Sequence, residues 1–372
     1  MNLSYWEIKT WFTYIDFAIV GSGIVGLSCA LHLREKYPNA KILILEKGIL
    51  PQGASTKNAG FACFGSLSEL IDDLQQHSEE EVLNLVKQRW EGLQLLRKTL
   101  SDKAIGFKNY GGYEIFQNHD SDLFERCESE MRRVNQLLRS LFKQDAFSIA
   151  SNPFGFRNCV ESVFYNPLEA QIDTGQMMLA LLRQTQSKNI QVLNSIEVKS
   201  FKESLGGVTL ETSSYELSAK KLIVATNGFA SQLLSETVKP ARAQVLITKP
   251  IHNLKIKGTF HLDKGYSYFR NIDNRLLIGG GRNLDFNTEE TTEFGQTKRV
   301  QTHLETLFKT VILPDTAFEI DHRWSGIMGV GRQKRPIVKQ LSDRVFCGVR
   351  LGGMGIAIGS SVGKELADLI CD

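Results

Sequence analysis

The N-terminal region alternates between short apolar runs and a segment with helical spacing. The run FAIV at 17–20 precedes the glycine-rich segment 21–26, and apolar side chains then recur at helical intervals over 27–37. A second apolar run, KILILEK, occupies 41–47. This order predicts a strand, a glycine turn, a helix and a second strand, which is the βαβ unit of a parallel sheet.

The next region is predicted to be mainly helical. Residues 66–104 place apolar side chains at 3.6-residue intervals among many charged ones, and 121–142 repeat the pattern, with Ser121 and Asp122 as candidate caps. The segment 110–116 between them is typical of a strand.

The middle of the chain mixes helix and strand signals. A helix is predicted over 167–186, with Asp173 or Thr174 near its start. Alternation within 207–228 indicates a small antiparallel sheet, but the run KLIVAT inside it is continuously apolar, as in a buried parallel strand.

The last third returns from alternating strands to α/β character. Alternating strands are predicted between 243 and 282, followed by a helix over 297–312. A strand at 344–349 leads into a glycine-rich turn at 350–361 and a helix at 361–370. We therefore predict an α/β fold whose Rossmann-like domain is discontinuous in sequence, with a second domain built on a mostly antiparallel sheet.

Composition narrows the functional classes. The 372 residues are 42% hydrophobic and 23% charged, with a net charge of +3, so no basic footprint for nucleic acid is present. No apolar run is long enough for a membrane span, and the N-terminus does not resemble a signal peptide. The six cysteines form no CxxC and the seven histidines show no ligand spacing, which predicts a reducing, cytoplasmic compartment and no metal site.

Three glycines carry the first chemical signal. Gly21, Gly23 and Gly26 form G-x-G-x-x-G between the first predicted strand and its helix, which suits a tight turn, close approach of a pyrophosphate and close helix packing. The helix N-terminus would hold the phosphate charge. Glu46 ends the second strand, where a carboxylate accepts hydrogen bonds from ribose hydroxyls. This motif predicts a dinucleotide site without separating NAD from FAD, and the alternative is a glycine turn beside a surface glutamate.

Further segments together carry a family resemblance. They are GASTKNAGF at 53–61, IDTGQMMLALL at 172–182, KKLIVATNGFAS at 220–231, PARAQVLIT at 240–248, RLLIGGGR at 275–282, DHRWSGIMG at 321–329 and RLGGMGIAIGSS at 350–361. In this order, with the N-terminal motif, the chain resembles the D-amino-acid oxidase, glycine oxidase and sarcosine oxidase family of FAD-dependent amine oxidoreductases. The resemblance implies an FAD-binding domain of 1–85, 160–238 and 322–372, and a substrate domain of 86–159 and 239–321.

The resemblance also implies a set of cofactor-binding residues. That set is Gly21, Ser22, Gly23, Ile24, Val25, Gly26, Glu46, Lys47, Ser55, Thr56, Asn58, Ala59, Gly60, Val198, Thr226, Asn227, Gly228, Gly352, Gly353, Met354, Gly355 and Ile356. Val198 would receive the adenine through its backbone. Gly352, Gly353, Gly355 and Gly359 would let backbone N–H groups approach a flat ring. Lys57 stands where some relatives attach FAD through histidine, and no cysteine lies between 324 and 335, so we expect non-covalent FAD.

The substrate side gives fewer signals. Alternation would put Tyr266, Tyr268 and Arg270 on one strand face, which the family uses to cover the flavin ring. Arg350, beside the glycine cluster, would face the flavin or a carboxylate. We expect Arg350, Tyr268 and Tyr266 to be the catalytic residues; the alternative is that the tyrosines are core aromatics and Arg270 a surface arginine.

Two departures from the family pattern concern charge. The arginine that holds a substrate carboxylate in relatives is replaced by Met328, so that role does not carry over. The segment 330–338 is strongly basic, with Arg332, Lys334 and Arg335, which favours an anionic substrate or electron acceptor or else a solvated loop.

These observations predict an FAD-dependent oxidoreductase. It would oxidise the C–N bond of an amine or amino acid by hydride transfer to flavin N5, with dioxygen or an electron carrier as acceptor. One alternative is an FAD-dependent dehydrogenase of a 2-hydroxy acid or other alcohol, or of a modified tRNA base, which would need a general base or a basic surface. Another is a flavin- or NAD-binding protein without turnover.

Overall fold

Two eight-stranded sheets dominate the molecule, which a computed structural model describes over residues 2–371. The strands are β1 Ile15–Val20, β2 Ile42–Leu45, β3 Phe61–Ala62, β4 Gly112–Glu114, β5 Ser148–Ser151, β6 Ser162–Asn166, β7 Ala170–Gln171, β8 Gln191–Leu193, β9 Val198–Ser204, β10 Gly207–Thr212, β11 Glu216–Val224, β12 Lys239–Thr248, β13 Thr259–Leu262, β14 Ser267–Ile272, β15 Arg275–Gly280, β16 Ile320–Val330, β17 Ile337–Gln340 and β18 Val345–Val349. The α-helices are α1 Tyr5–Glu7, α2 Ile24–Lys36, α3 Leu67–Gln76, α4 Glu79–Leu100, α5 Ser121–Phe142, α6 Thr174–Ser187, α7 Phe286–Glu289, α8 Lys298–Leu307 and α9 Gly355–Cys371. Single turns of 3₁₀ or π type occupy Ile8–Phe12, Ala54–Thr56, Asn118–Asp120, Asp263–Gly265, Asn227–Gln232, Arg282–Leu284 and Phe308–Ile312.

The first sheet contains the predicted βαβ unit. Its order is β17-β18-β11-β1-β2-β8, and β18, β11, β1, β2 and β8 run parallel. The hairpin of β9 and β10 joins β11 in antiparallel fashion. β11 is parallel to β1 along one edge. On its other edge, residues 216–219 pair with β10 in antiparallel fashion and residues 222–224 pair with β18 in parallel, which confirms both predictions made for that segment.

Helices α2, α4, α6 and α9 cover one face of this sheet, and glycines set how closely they pack. A Cβ on Gly359 of α9 would lie 2.7 Å from the Ile24 side chain of α2. One on Gly363 would lie 2.8 Å from the Val25 carbonyl oxygen, and one on Gly92 of α4 would collide with the Ala357 carbonyl oxygen. The last helix also starts earlier than predicted, because residues 355–360 are helical rather than part of a turn.

The second sheet forms the other half of the molecule. Its order is β16-β12-β15-β14-β13-β4-β6-β5, and all its pairs are antiparallel except the one between β13 and β4. Phe260 and Phe269 stack at its centre with ring centroids 4.4 Å apart, and α8 covers the apolar face. The predicted fold class, a Rossmann-like sheet joined to a mostly antiparallel one, is confirmed.

The domain ranges stay a prediction. Strand β6 and most of β16 fall within the ranges expected for FAD binding but pair in the second sheet. The terminal residues of those ranges, Met1 and Asp372, lie outside the described part of the chain.

The predicted helices within 66–104 and 121–142 are present, but their number and their N-caps differ from the prediction. The stretch 66–104 divides into α3 and α4, each opened by a serine capping box at Ser66 and Ser78. Helix α5 spans the predicted 121–142, but its N-cap is Asp120, so the caps expected at Ser121 and Asp122 are wrong. Among the residues described, no helix has the length and apolar character that crossing a bilayer requires.

Candidate active site

A crevice of about 1070 Å³ opens between the two sheets, at the carboxyl ends of the parallel strands. Gly21 follows β1 and Ala225 follows β11, and both line the crevice. These two strands are neighbours, and the strand order changes direction between them, because β2 and β8 lie beyond β1 whereas β18 lies beyond β11. Open α/β sheets bind ligands at such switch points. Gly352–Ile356 line the same crevice, so both ends of the chain meet there.

The first glycine turn is shaped by close backbone contacts. Gly21 has a φ of +103° and lies against the Ala225 carbonyl, while Gly26 brings α2 onto the Gly21 carbonyl oxygen without itself lining the crevice. A Cβ at Gly23 would lie 2.9 Å from Ser55 Oγ. Ser55 Oγ accepts the N–H of Ile24 at 3.0 Å, which places this hydroxyl at the positive end of α2.

Glu46 lines the crevice and is held in place by protein donors. It is 7% exposed, and its Oε2 accepts the Ser22 N–H at 3.1 Å and the Ser22 hydroxyl at 2.6 Å. Its Oε1 accepts the Gly48 N–H at 3.0 Å. Ser22 itself is fully buried behind the wall, so it orients the carboxylate rather than lining the cofactor space as predicted. Lys47, at the same end, pairs with Glu197 at 2.6 Å.

The loop 53–60 is fixed by one amide. Asn58 donates to the carbonyl oxygens of Ala54 and Ser55 at 3.2 and 2.8 Å, and its Oδ1 accepts the Gly60 N–H at 3.0 Å and the Thr174 hydroxyl at 2.8 Å. Every polar group of this side chain is thereby used to hold the loop against α6.

Two residues near this loop differ from expectation. Thr56 donates its hydroxyl to the Pro51 carbonyl oxygen at 2.6 Å and does not line the crevice. Arg270 is 2% exposed, donates from Nε to the Ala59 carbonyl oxygen, and has a pKa lowered to about 10 by burial. Arg270 therefore supports the loop from the side away from the crevice. It is neither a surface residue nor one that could cover the flavin ring.

The C-terminal glycines divide into two functional groups. A Cβ on Gly352 or Gly355 would meet no protein atom within 4 Å, and one on Gly353 would meet only the Met328 sulfur at 4.0 Å. Gly359, by contrast, packs against α2, so its predicted approach to a ring is wrong. Met354 lies in the crevice with its Sδ 3.9 Å from Cys63 Sγ.

The turn after β11 supplies one wall. Thr226 lines the crevice and its Oγ1 has no hydrogen-bond partner among the described residues, whereas Asn227 Oδ1 accepts the Leu351 N–H at 3.1 Å. Gly228 does not line the crevice and instead packs against the backbone of β16. A Cβ there would lie 2.7 Å from the Met328 carbonyl oxygen. Val198 lines the far end at the start of β9.

Tyr266 and Tyr268 both line the crevice, but not by strand alternation. Tyr266 precedes β14 and has a helical backbone conformation, so only Tyr268 and Arg270 share a strand face. Burial raises the pKa of Tyr268 to about 12, and its ring lies edge-on to Phe61 with centroids 5.4 Å apart.

Two of the predicted charged residues, Arg350 and Lys334, already have partners within the protein. Arg350 lines the crevice and donates from Nε to the Arg335 carbonyl oxygen at 3.1 Å. Lys334 pairs with the buried Asp73 at 2.5 Å, which ties the basic loop to α3. Met328 also lines the crevice, so no arginine occupies that position.

A buried cluster was missed by the sequence analysis. Cys63, Glu169 and His261 place a sulfur, a carboxylate oxygen and an imidazole nitrogen within 4.8 Å of one another, and His261 Nε2 lies 2.6 Å from Glu169 Oε1. Burial alone would lower the pKa of His261, but the Glu169 carboxylate outweighs it and raises this pKa to about 9. Since the histidine and glutamate bond each other, we describe the cluster as an ion pair; the expected lack of a metal stays a prediction. Residues more than 90 positions apart compose it, so no local motif reveals it.

The crevice fits an extended dinucleotide. Its volume exceeds the range of about 300–1,000 Å³ typical of sites for drug-sized ligands. The open space at Gly352 and Gly355 and the unpartnered Thr226 hydroxyl are features that a bound group would complete.

Comparisons with known proteins show what this chain is similar to. Residues 16–369 match the model of the DAO family, described as FAD dependent oxidoreductase. The chain is 23% identical over 374 residues to gamma-glutamylputrescine oxidoreductase of Escherichia coli, covering 95% of this chain and 83% of that one. It is 23% identical over 274 residues to glycine oxidase of Geobacillus kaustophilus, covering 71% and 69%. The crystal structure of that glycine oxidase superposes with a TM-score of 0.76 at 20% identity, over 95% of this chain and 94% of the other.

Proposed function

Because the chain belongs to the DAO family of FAD-dependent oxidoreductases and uses FAD, we propose that it oxidises the C–N bond of an amine or amino acid. FAD would supply the oxidant: a hydride from the carbon beside an uncharged amine nitrogen would pass to flavin N5, leaving an iminium ion that water hydrolyses to a carbonyl compound and ammonium or a free amine. The single observation that carries the proposal is the continuous crevice, which joins the N-terminus of α2 to the open glycines at 352–355.

The residues at the two ends of the crevice have different tasks. At one end, the N–H groups at the start of α2 and the Ser55 hydroxyl suit the pyrophosphate, and the Glu46 carboxylate suits the ribose. At the other, the backbone N–H groups at Gly353 and Gly355 and the N-terminus of α9 suit a ring that gains negative charge on reduction. No histidine or cysteine is needed as a covalent anchor, so FAD is proposed to bind non-covalently.

Three titratable side chains that line the crevice are poorly suited to act as a base, which favours an amine over an alcohol substrate. Oxidation of a hydroxy acid needs a base to take the hydroxyl proton. His261 keeps its proton at neutral pH because of Glu169, and burial raises the pKa of Cys63 well above its ordinary value. Asp72, at the same end, is paired with Lys264 at 3.1 Å. An uncharged amine already has its lone pair available and needs no such base.

Anaerobic reduction of the purified holoenzyme tests the proposal. We expect an amine panel to bleach the flavin absorption, while 2-hydroxy acids of the same carbon skeleton, such as glycolate paired with glycine, leave it unchanged. Bleaching by the hydroxy acids alone would favour the alcohol dehydrogenase. A flavin that dithionite reduces but no substrate reduces would favour a binding protein without turnover.

The electron acceptor is tested on the same sample. After reduction by the best amine, air or an artificial electron carrier is admitted and the return of the oxidised spectrum is timed. Fast return in air supports an oxidase, and return with the carrier alone supports a dehydrogenase.

A further inference from the structure

The N-terminal arm, residues 4–14, carries a cluster of exposed apolar side chains. Helix α1 and the π turn that follows it contain no buried residue. Trp6 and Tyr14 are 68% and 90% exposed, and Tyr5, Ile8 and Trp11 are also exposed. The arm precedes the residues that match the family model, 16–369, so membership of the family does not account for it. Contiguous exposed apolar surface of this kind is typical of interaction sites.

Few contacts attach the arm to the rest of the molecule. Lys41 Nζ donates to the carbonyl oxygens of Thr10 and Thr13 at 2.7 and 2.8 Å, and the ring centroids of Phe12 and Tyr215 lie 4.4 Å apart. These contacts are made at the end of the arm that leads into β1. A helical segment this short is marginal in water unless its apolar side chains pack against something, so a partner would complete the arm.

Lys41 also lines a cavity beside the arm. The cavity has a volume of about 390 Å³, and Arg34 and Lys188 line it together with Lys41. The Arg34 guanidinium donates to backbone carbonyls, including those of Pro38 and Ala40 at 2.7 Å, and none of the three cations forms an ion pair within residues 2–371. No acidic residue of the described chain lines this cavity. Three positive charges without a carboxylate to balance them attract an anionic group such as a phosphate.

The arm itself combines aromatic rings with a lysine. Lys9 Nζ lies 5.8 Å from the centroid of the Tyr5 ring and 5.9 Å from that of Trp6, and no acidic residue pairs with it among residues 2–371. The Glu7 carboxylate is used within the arm, where it accepts the Ser4 N–H at 2.7 Å. Tryptophan and tyrosine beside lysine is the composition that proteins place at the membrane–water interface.

The size and chemistry of this surface favour a membrane over a second copy of the chain. A stable protein interface buries about 800 Å² and about 20 residues on each side, whereas the arm offers five exposed apolar side chains. The neighbouring cavity is lined mainly by polar and charged residues, so it would not receive aromatic rings from another copy. The interfacial region of a bilayer accepts protruding aromatic rings, and anionic lipids attract nearby lysines and arginines.

The position of the arm determines how the enzyme would sit on a membrane. Ile15 begins β1, Lys41 precedes β2 and Tyr215 precedes β11, so the arm and the basic cavity lie at the amino ends of these parallel strands. The crevice opens at their carboxyl ends. An enzyme that docks through the arm would therefore keep its crevice open to water on the opposite side.

We propose that the N-terminal arm and the basic cavity dock the enzyme on a membrane surface that carries anionic lipid. The aromatic rings enter the interfacial region, and a lipid phosphate lies at Arg34, Lys41 and Lys188. This inference goes beyond amine oxidation and does not depend on it. Removal of three aromatic rings is expected to weaken membrane binding at least about tenfold, and neutralising two lysines is expected to weaken it on the order of tenfold.

Co-sedimentation of the holoenzyme with lipid vesicles tests the aromatic part of the surface. Vesicles of equal parts phosphatidylglycerol and phosphatidylcholine are compared with vesicles of phosphatidylcholine alone. The wild-type protein is expected to bind the mixed vesicles more tightly, and W6S/W11S/Y14S is expected to lose at least about tenfold of that binding. Y110S is the matched control, since Tyr110 is an exposed aromatic residue that precedes β4 of the second sheet.

A charge variant tests the electrostatic part. K9Q/K188Q should lose most of the preference for phosphatidylglycerol while keeping the weaker binding to phosphatidylcholine vesicles, because its aromatic rings are intact. The preference of the wild-type protein should also fall as salt is added. K298Q is the control, since Lys298 is an exposed lysine at the start of α8 and has no acidic partner among residues 2–371.

Tryptophan fluorescence shows whether the arm itself enters the bilayer. Trp6 and Trp11 are exposed, whereas Trp90 and Trp324 are half-buried in the body of the molecule. Brominated phosphatidylcholine in the mixed vesicles should quench the wild-type emission. W6F/W11F should still bind these vesicles, because phenylalanine keeps an apolar ring, but its remaining emission should not be quenched.

The outcomes are separable from those of the proposed function. The FAD content, thermal midpoint and anaerobic reduction of W6S/W11S/Y14S should match wild type, because the arm contributes no residue to the crevice. Failure of every amine to reduce the flavin would refute amine oxidation and leave vesicle binding to be decided by sedimentation.

Three results would overturn membrane docking. One is that the wild-type protein does not bind the mixed vesicles, or that W6S/W11S/Y14S binds them equally well. Another is self-association in sedimentation velocity that W6S/W11S/Y14S abolishes without any vesicle binding, which would identify a second copy as the partner. The third is calorimetric binding of inorganic phosphate without binding of vesicles, which would show a site for free phosphate.

Discussion

At the scale of single residues, the crevice shows how burial and one neighbour set an ionisation state. His261 and Glu169 are 5% and 1% exposed and lie 2.6 Å apart, so the histidine is held as a cation beside the crevice. No sequence pattern indicates this pairing, because it depends on strand β13 being brought against the turn before β7. The glycine motif and Glu46, by contrast, could be predicted because their spacing is local.

The pH dependence of stability should report the His261 charge. The folded-state pKa of about 9 lies above the ordinary value near 6.5, so the pair's stabilisation is complete below about pH 6.5 and is lost as the pH rises through 9. We expect the difference in unfolding free energy between wild type and H261Q, from denaturant titrations, to shrink between pH 6 and pH 10.

His303 provides a control of opposite sign. Burial lowers its pKa, with Asp263 opposing that shift, and its Nε2 lies 3.2 Å from Ser267 Oγ. The difference between wild type and H303Q should instead shrink as the pH falls below the ordinary histidine value. A wild-type–H261Q difference that stays constant from pH 6 to pH 10 would contradict the charged state assigned to His261.

At the scale of elements, helix α9 serves both the core and the site. Gly363 lets α9 lie on the backbone of α2, whereas Gly355 opens the helix towards free space in the crevice. From sequence alone Gly355 and Gly359 looked like members of one cluster. Only the packing of α9 against α2 separates Gly359, which contacts α2, from Gly355, which faces the crevice.

The two kinds of glycine should respond differently to alanine. In G355A the new Cβ meets no protein atom, so the apoprotein should be as stable as wild type or gain up to about 1 kcal/mol of helix propensity. Its FAD dissociation constant should rise roughly tenfold or more, since the methyl group occupies the proposed ring space. Equilibrium dialysis with FAD measures the second effect.

G363A is the matched control for that experiment. Its Cβ would lie 2.8 Å from backbone atoms of α2, so the apoprotein should lose about 1–3 kcal/mol by overpacking, whether or not FAD is present. Unchanged FAD binding in a well-folded G355A protein would remove the ring from this end of the crevice.

The loop at 53–60 allows a second element-scale prediction. N58A removes four hydrogen bonds that join the loop to itself and to Thr174, so the loop should become mobile while the sheets stay intact. We expect weaker FAD retention on gel filtration and faster hydrogen exchange confined to this loop. Exchange that rises equally across the first sheet would show a global effect instead.

At the scale of the whole molecule, the crevice exists because two sheets built from interleaved segments face each other. Sequence patterns predicted both sheet types, because parallel strands read as continuous apolar runs and antiparallel ones alternate. They did not indicate that β6 and β16 pair in the second sheet, since a strand's partner is decided by tertiary packing rather than by its own residues. Residues such as Arg282, Cys63 and His261 reach the crevice through that same packing.

Binding across both ends should couple FAD to global stability. A ligand that binds the folded state alone stabilises it by about 2.7 kcal/mol at a hundredfold excess over its dissociation constant. FAD should therefore raise the thermal midpoint of the apoprotein more than ADP or riboflavin does at the same molar concentration, because each of those fills only one end of the crevice and should bind more weakly. Equal shifts by FAD and ADP would argue that the ring end contributes nothing.

A crystal structure of the yellow holoenzyme tests the central claim most directly. Electron density should show one FAD per chain, with its pyrophosphate at the N-terminus of α2 beside Gly23 and Ser55 and its ring against Gly352–Gly355. Density that leaves residues 352–355 without contact to the ring, or that places the pyrophosphate away from Gly23, would contradict the account.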